Sequence, residues 1–135
     1  MSFLRIIPIL LLRDSGLVKT INFKESTYIG DPINAVKIFN QKEVDELVLF
    51  DIDASVENYE PKYDWIRDIV SESFMPVGYG GGIKSIDQVK RIFDLGVEKV
   101  IFNSSLRDFD LLSEAISIYG SQSIVACIDV KKNLF

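Results

Sequence analysis

The sequence predicts an α/β protein in which short buried strands alternate with amphipathic helices around a parallel sheet. Two observations support this prediction. Runs of β-branched and other apolar residues recur along the chain and are apolar on both faces, as in strands that helices cover from both sides. Segments with helical spacing of apolar residues separate these runs. The predicted strands lie at about residues 4–12, 46–51, 75–79, 98–103 and 123–129.

The first two helices are recognised by their start signals. Gly30-Asp31-Pro32 marks the first start, with Asp31 as N-cap. Pro32 suits the first helical position because its missing N–H has no intrahelical partner there. The second helix follows Pro61. Their apolar faces contain Ile33, Val36 and Phe39 in the first helix, and Ile66, Ile69 and Val70 in the second.

The third and fourth helices have clear ends as well as starts. The third is predicted to begin at Ser85, with Gln88 completing a capping box, and to end at Leu95-Gly96. The fourth is expected to run from near Asp108 to Gly120. Its predicted buried face contains Leu111, Leu112, Ala115 and Ile116. The order is therefore β-α-β-α-β-α-β-α-β, and right-handed crossovers are expected between the parallel strands.

Composition indicates a globular protein and excludes several function classes. The 135 residues are 47% hydrophobic and 26% charged, which suits one domain over residues 1–135. A net charge of −5 argues against nucleic acid and anionic membranes as partners, because there is no basic stripe to release counterions. The lone Cys127 excludes an internal disulfide and fits a reducing, cytoplasmic location. Without histidine, imidazole chemistry is excluded, and we predict no metal or cofactor.

Two architectures accept this order of elements, an open doubly wound sheet and a (βα)8 barrel. The segment RDSGLVKT after the first predicted strand lacks the G-x-G-x-x-G pattern of a dinucleotide-binding sheet. Gly80-Gly81-Gly82 instead follows the third strand, where backbone N–H groups can approach an anion closely. A tight turn into the third helix would also use glycines there. Asn103-Ser104-Ser105 follows the fourth strand, so the two strand ends together look like half of a phosphate cradle.

Three charged residues stand at the starts of predicted strands: Arg5, Glu46 and Lys99. One such charge would carry no information, because surface strands often begin with a charged residue. The strands of a parallel barrel all start at the same end, so these three side chains are expected to form a charged ring at one mouth. This ring is the strongest indication of function in the sequence.

These motifs together resemble the N-terminal half of the cyclase subunit of imidazole glycerol phosphate synthase. The resemblance covers all 135 residues and rests on short motifs in register: RIIP at 5–8, Lys19, Asn22-Phe23, GDP at 30–32, DEL at 45–47, Asp51-Ile52, GGGI at 80–83, Lys99, Asn103, GSQ at 120–122, Ile128-Asp129 and Lys131. It implies the α/β fold class of a (βα)8 TIM-type barrel, of which this chain covers about four and a half βα units, a half-barrel.

The resemblance also implies partners and residue roles. A glutaminase subunit is expected at the N-terminal barrel face, with ammonia passing through the barrel to a phosphorylated, ribulose-derived substrate in histidine biosynthesis. Arg5, Glu46 and Lys99 correspond to three of the family's four ammonia-gate residues. The phosphate-binding candidates are Gly81, Gly82, Asn103 and Ser104. Asp129 corresponds to one of the two aspartates that share the acid–base catalysis.

The second catalytic aspartate of the family is replaced. The family pattern at the end of the first strand is Cys-Leu-Asp-Val-Lys, whereas this chain reads ILLLR at 9–13, with Leu11 at the acid–base position. Leucine cannot transfer a proton, and losing a positioned acid or base costs about 10²–10⁴-fold in rate. An alternative is that a mobile loop brings Asp14 into reach. Asp53 stands where the family usually has threonine, and the sequence assigns it no role.

Three functions from different classes remain open. The first is a cyclase-type lyase that makes imidazole glycerol phosphate and needs a substitute for the missing aspartate. The second is a cyclase-like barrel that works with a glutaminase to relay ammonia to a sugar amidotransferase in surface-glycan biosynthesis, a branch that ILLL, GLVKT and GDPINAVKIFN resemble. The third is a related sugar-phosphate isomerase barrel, which would have no need of the charged ring.

The last residue, Phe135, follows the fifth predicted strand, whereas the resemblance implies a barrel of roughly 250 residues. The chain is therefore expected to be a fragment, or a half-barrel that pairs with a second copy. Open strand edges would leave Phe50, Ile101 and Val125 facing water, so the isolated chain is expected to be dimeric or prone to aggregation. Lys131-Lys132 is expected to lie in a solvated loop.

Overall fold

The computed structural model describes residues 3–22 and 24–130; Lys131-Lys132 lies outside them. The described strands are β1 Ile9–Arg13, β2 Gly16–Ile21, β3 Glu25–Gly30, β4 Leu47–Asp51, β5 Val77–Gly80, β6 Lys99–Phe102 and β7 Ile124–Ala126. The described α-helices are α1 Pro32–Lys42, α2 Tyr63–Glu72, α3 Ile86–Asp94 and α4 Phe109–Tyr119.

The strands form one sheet in the order β3-β2-β1-β4-β5-β6-β7. In the part of the sheet that runs β1-β4-β5-β6-β7, every neighbouring pair is parallel, and each crossover between these strands contains one α-helix. The predicted alternation of strand and helix is therefore confirmed for this part of the sheet. All carboxyl ends of these five strands lie at one edge, as a parallel arrangement requires.

The two faces of the sheet have different surroundings. One face packs against the helices and holds the main core, which includes Leu10, Leu12, Leu47, Leu49, Tyr79, Val100 and Phe102 from the strands and Val36, Ile66, Ile69, Val89, Ile92 and Ala115 from the helices. Alternation along each strand places the intervening residues on the opposite face, here called the inner face. One row across the inner face runs in register through Leu11, Phe50, Gly80, Ile101 and Val125.

The β2–β3 hairpin differs from the sequence prediction, which has only a loop between the first strand and the first helix. β2 pairs antiparallel with β1, and Asp14-Ser15 forms the two-residue turn between them. Both turn residues have positive φ, 49° and 66°, as a type I′ turn requires. Asp14 is exposed at this turn. The segment RDSGLVKT therefore forms a turn and part of a further strand of the sheet, and not a loop.

The strands are shorter than predicted, most clearly the first. β1 begins at Ile9 and not near residue 4. Pro8 lacks an N–H for the ladder, although its carbonyl accepts a bond from the Val48 N–H at 3.0 Å. Upstream, Ile6 donates its N–H to the Asp45 carboxylate at 2.6 Å and accepts the Asp45 N–H at 3.0 Å. The predicted strand at 123–129 is likewise reduced to Ile124–Ala126.

Two burial predictions are wrong. Ile101, expected to face water, is only 5% exposed, because its side chain lies over Gly78, where an added Cβ would be 3.1 Å from Ile101 Cδ1. Phe50 and Val125 of the same row are half-buried. Ile116, expected on the buried face of α4, is 38% exposed, because the part of α4 that faces the core is narrower than predicted and buries only Leu111 and Ala115.

The predicted helix caps at Asp31 and Ser85 are confirmed. The Asp31 carboxylate accepts the N–H of Ile33 at 3.1 Å, and the Ser85 hydroxyl accepts the N–H of Gln88 at 3.3 Å. The second half of the capping box is shifted by one residue, because the Gln88 side chain accepts the N–H of Lys84 and not that of Ser85. These bonds satisfy donors that a helix start otherwise leaves unpaired.

Candidate functional site

Arg5, Glu46 and Lys99 meet at the N-terminal end of the parallel strands, in a group here called the charged cluster. Glu46 is central: Lys99 Nζ donates to both of its carboxylate oxygens at 2.8 Å, and the Arg5 guanidinium pairs with Oε1. Glu46 is 7% exposed, whereas Lys99 is half-buried and Arg5 is exposed. Two cations therefore offset the cost of removing this carboxylate from water.

The charged cluster lies at the start of the inner face. Glu46 stands four residues before Phe50, and Lys99 two before Ile101, so strand alternation places them on the same face as that row. Gly78 is paired with both Val48 and Lys99 and adds no side chain between them. The inner face beyond the cluster is thus lined by apolar side chains and by glycine.

At the opposite, carboxyl end of the strands, Gly82 and Ser104 are brought together by Ser55. Ser55 Oγ accepts the N–H of Gly82 at 3.3 Å and lies 3.2 Å from Ser104 Oγ. These three groups are here called the donor cluster. Sequence reasoning missed Ser55, which lies in the loop after β4. No local sequence pattern distinguishes this serine from other loop residues. An N–H and two hydroxyl groups, kinds of donor that anion-binding loops use, thus lie next to one another.

The consecutive glycines Gly81 and Gly82 are also required by close packing. Both have positive φ, 133° and 69°. A Cβ at Gly81 would lie 2.6 Å from the Asp51 carbonyl oxygen, and one at Gly82 would lie 2.8 Å from Ala54 Cβ. The loop after β4 therefore lies directly against this turn. Tight turning and anion approach are both compatible with these glycines.

Gly81→Ala is expected to lower the free energy of unfolding by about 2–6 kcal/mol, because backbone strain and a clash with the backbone of Asp51 add together. Gly30→Ala is a matched control, since Gly30 has φ 152° but no atom within 4 Å of the position its Cβ would take. It should cost only the strain, about 1–3 kcal/mol. Urea unfolding of both variants measures the difference, and equal costs would show that the contact with Asp51 is unimportant.

Asn103 and Asp129 form a direct pair at the same end of the sheet. Asn103 Nδ2 donates to the Asp129 carboxylate at 3.0 Å and to the Cys127 carbonyl at 3.1 Å. They line an open cleft of about 420 Å³, whose walls are Asn103, Ser104, Leu106, Arg107, Cys127, Ile128 and Asp129. Gly81 and Gly82 do not line this cleft. Arg107 is a cation that sequence reasoning missed, and only its position three residues after Ser104 connects it to the motif.

Leu11 lies in an apolar part of the inner face. It is half-buried and pairs in register with Val18 of β2 and with Phe50 of β4. These three residues are here called the apolar corner. Paired residues of neighbouring strands point to the same face, so their side chains are neighbours. None of the three can donate or accept a proton.

The loop after β4 is fixed by Asp51. Its Oδ1 accepts the N–H groups of Asp53 at 3.2 Å and Ala54 at 3.1 Å, and the Tyr59 hydroxyl at 2.7 Å. Residues 51–55 are here called the Asp51 turn. Burial, and then the bond to Asp51, raise the pKa of Tyr59 above its ordinary value. Tyr59 therefore stays protonated and keeps donating to the carboxylate throughout the neutral range.

Asp53, which has no role in the sequence interpretation, pairs with Arg13. Arg13 Nε donates to Asp53 Oδ2 and Nη2 donates to Oδ1, both at 2.6 Å, so the contact is bidentate. The remaining terminal nitrogen, Nη1, donates to the Ser26 hydroxyl of β3 at 2.5 Å.

Two kinds of feature are absent from residues 3–22 and 24–130. No group of three or more His, Cys, Asp or Glu side chains is arranged to hold a metal ion in this part of the chain. No helix in the same residues has the length and hydropathy needed to cross a membrane.

Comparison with known proteins gives one family and several relatives. The family described as histidine biosynthesis protein matches residues 5–135. A protein of Pseudomonas aeruginosa, provisionally named imidazole glycerol phosphate synthase subunit hisF2, is 54% identical over 132 residues, which are 97% of this chain and 53% of the relative. A Vibrio vulnificus protein, provisionally named subunit hisF3, is also 54% identical over 132 residues, which are 97% of this chain and 51% of the relative.

A more distant relative is named as a subunit of imidazole glycerol phosphate synthase without the word that marks the other two names as provisional. The imidazole glycerol phosphate synthase subunit HisF of Methanococcus vannielii is 39% identical over 130 residues, which are 96% of this chain and 48% of the relative. The chain spans about half the length of the curated relatives it matches. Together with the strand and helix order, the family match confirms the predicted fold class, a (βα)8 barrel of which this chain forms a half.

Proposed function

This chain belongs to the histidine biosynthesis protein family, and from that premise we propose that it is the N-terminal half of an ammonia-channelling, cyclase-type subunit. In the proposed reaction a glutaminase supplies ammonia to one end of the barrel. The ammonia reacts at the other end with a phosphorylated ribulose-derived substrate and yields imidazole glycerol phosphate. The charged cluster carries the proposal, because a buried carboxylate held between two cations at the strand starts suits a controlled entrance.

The entrance is proposed to admit ammonia and to exclude ammonium. Arg5 is the exposed member of the charged cluster, and the buried Glu46 and half-buried Lys99 lie behind it. The inner face that follows is apolar, so a bare ammonium ion would lose its hydration there at high cost, whereas neutral ammonia would lose much less. An apolar interior thus selects the nucleophilic form of the nitrogen.

A glutaminase is the proposed partner at this end. Large apolar side chains flank Arg5 in sequence, and all are exposed: Phe3 at 82%, Leu4 at 88%, Ile6 at 57% and Ile7 at 40%. Exposed apolar groups of this kind, next to charged ones, are typical of protein interfaces. A docked subunit would cover them and would deliver ammonia directly to the charged cluster.

At the carboxyl end, a substrate phosphate is proposed to bind the donor cluster. The Gly82 N–H and the Ser55 and Ser104 hydroxyls converge, and Arg107 lines the adjoining cleft with a cation. Backbone N–H groups and guanidinium are strong partners for phosphate oxygens. Asp129 is the proposed general acid–base group, and the Asn103 amide that donates to it would orient its carboxylate.

A second function is favoured by the apolar corner. The family's other acid–base position holds Leu11, whose neighbours Val18 and Phe50 are equally unable to move a proton. A barrel that only relays ammonia with a glutaminase to a sugar amidotransferase, for a surface glycan, needs the charged cluster but not two carboxylates. The sugar-phosphate isomerase alternative has less support, because it gives the charged cluster no task.

Growth of a histidine auxotroph that lacks its own cyclase subunit tests the proposal. The complete protein that carries this chain, expressed with its glutaminase, should restore growth without histidine if it is a cyclase. Growth must then depend on Asp129, so Asp129→Asn should abolish it. Accumulation of the protein and binding to the glutaminase without growth would favour the relay function. Failure to bind any glutaminase would contradict both functions.

A further inference from the structure

Arg13 and Asp53 form a contact that the proposed function leaves unexplained. The guanidinium meets the carboxylate through two parallel bonds of 2.6 Å. Asp53 is 8% exposed, and Arg13 is half-buried. Exposed single-bond ion pairs contribute little to stability, but bidentate pairs with a desolvated carboxylate are strong and directional. The bidentate pair therefore holds the end of β1 firmly against the loop after β4.

The connection joins three separate segments of the chain. Arg13 is the last residue of β1, Asp53 belongs to the Asp51 turn, and Ser26 on β3 accepts the third bond of the guanidinium. One side chain thus ties the β2–β3 hairpin to a barrel strand and to the loop after the next barrel strand. We call these three residues the hairpin clamp.

The anchor of the clamp is itself immobilised. The N–H of Asp53 is bound by Asp51 Oδ1, and Asp51 is 5% exposed and also accepts the Tyr59 hydroxyl. Within the hairpin, β2 is held by its pairing with β1 and by the buried Leu17 and Val18, whereas no residue of β3 is buried. Segments with few buried contacts open most easily, so β3, the outer strand of the hairpin, is the part whose position depends on the clamp.

The hairpin places one apolar residue beside Leu11 in the sheet. Val18 is 7% exposed and lies opposite Leu11 on the inner face. We propose that Arg13 and Asp53 are positioning residues that hold β3 near the Asp51 turn, so that the hairpin forms a wall of the carboxyl-end site with Val18 beside Leu11. This rests on the proposed function only in taking the carboxyl end as the substrate site. The wall keeps water away from the apolar corner.

Hydrogen exchange of the complete protein tests the clamp with Asp53→Asn. Loss of the charge removes two charge-assisted bonds, so amides of β3 should exchange about tenfold faster or more. Amides of α2 and α3 should stay within about twofold of the wild type. Asp14→Asn is the matched control: Asp14 is exposed in the turn of the same hairpin and makes no bond to Arg13, and this variant should exchange like the wild type.

The double variant Arg13→Asp with Asp53→Arg distinguishes a local effect on the hairpin from an effect on the stability of the whole fold. It should restore hairpin protection to within about threefold of the wild type, whereas Arg13→Lys should be intermediate because lysine lacks the planar fork. Unchanged hairpin exchange in Asp53→Asn, or acceleration spread evenly over all helices, would overturn the proposal. These readouts need no activity, so failure of the auxotroph to grow leaves the test of the clamp intact.

Discussion

Leu11→Asp is expected to raise the rate of imidazole glycerol phosphate formation by about 10²–10⁴-fold when the complete protein receives substrate and an ammonium salt. The change places a carboxylate at the position that is proposed to correspond to the family's second acid–base group. Leu11 is half-buried beside Phe50 and Val18, so a carboxyl group there would be partly desolvated. Desolvation raises the pKa of a carboxyl group toward the working pH, which favours acid–base catalysis.

Leu11→Asn is the control for this experiment. Asparagine matches aspartate in shape and polarity but does not titrate, so it should leave the rate near that of the wild type. The gain with aspartate should also follow a pH profile that the asparagine variant lacks. If Leu11→Asp and Leu11→Asn behave alike, more than one catalytic group has been lost, and the relay function becomes the better explanation of the barrel.

Glu46→Gln is expected to reduce glutamine-driven product formation by the complex about tenfold or more, while product formation driven by ammonium salt stays within about twofold. The Glu46 carboxylate holds Lys99 through two bonds of 2.8 Å and also pairs with Arg5. A neutral amide cannot hold two cations, so they would separate and the entrance would lose its arrangement. Ammonium salt added in solution reaches the carboxyl end without that entrance.

The exposed neighbour Glu98 provides the matched control. Glu98→Gln makes the same chemical change beside Lys99, but outside the charged cluster, and should leave both activities unchanged. The ratio of glutamine-driven to ammonium-driven rates is the measurement. An equal loss of both rates in Glu46→Gln would mean that the charged cluster only supports the fold, and the proposed entrance would have to be abandoned.

The parallel part of the fold was predictable because its signals are local. Buried strands such as β4 are apolar almost throughout, and the caps at Asp31 and Ser85 satisfy helix donors in their own segment. In a parallel sheet, the amino ends of all strands lie at the same edge, whatever the side chains. That argument predicts the meeting of Arg5, Glu46 and Lys99, and the structure has them in contact.

The remaining features depend on contacts between distant residues. The turn at Asp14-Ser15 lacks the Asn-Gly or Asp-Gly pair that usually indicates a hairpin, although the β-branched residues of the following strand were a usable signal. Ser55 reaches Ser104 across 49 positions, and Arg13 reaches Asp53 across 40. No pattern of spacing identifies such pairs in a single sequence.

The space inside the sheet depends on two positions of β5 that have no side chain. Gly78 and Gly80 both face inward, and a Cβ added to Gly80 would lie 2.6 Å from the Phe50 ring. The ring therefore occupies the room that a side chain of β5 would need. A residue larger than glycine at Gly80, and to a lesser degree at Gly78, would displace these neighbours into the interior. The width of the proposed ammonia path therefore depends on two missing methyl groups.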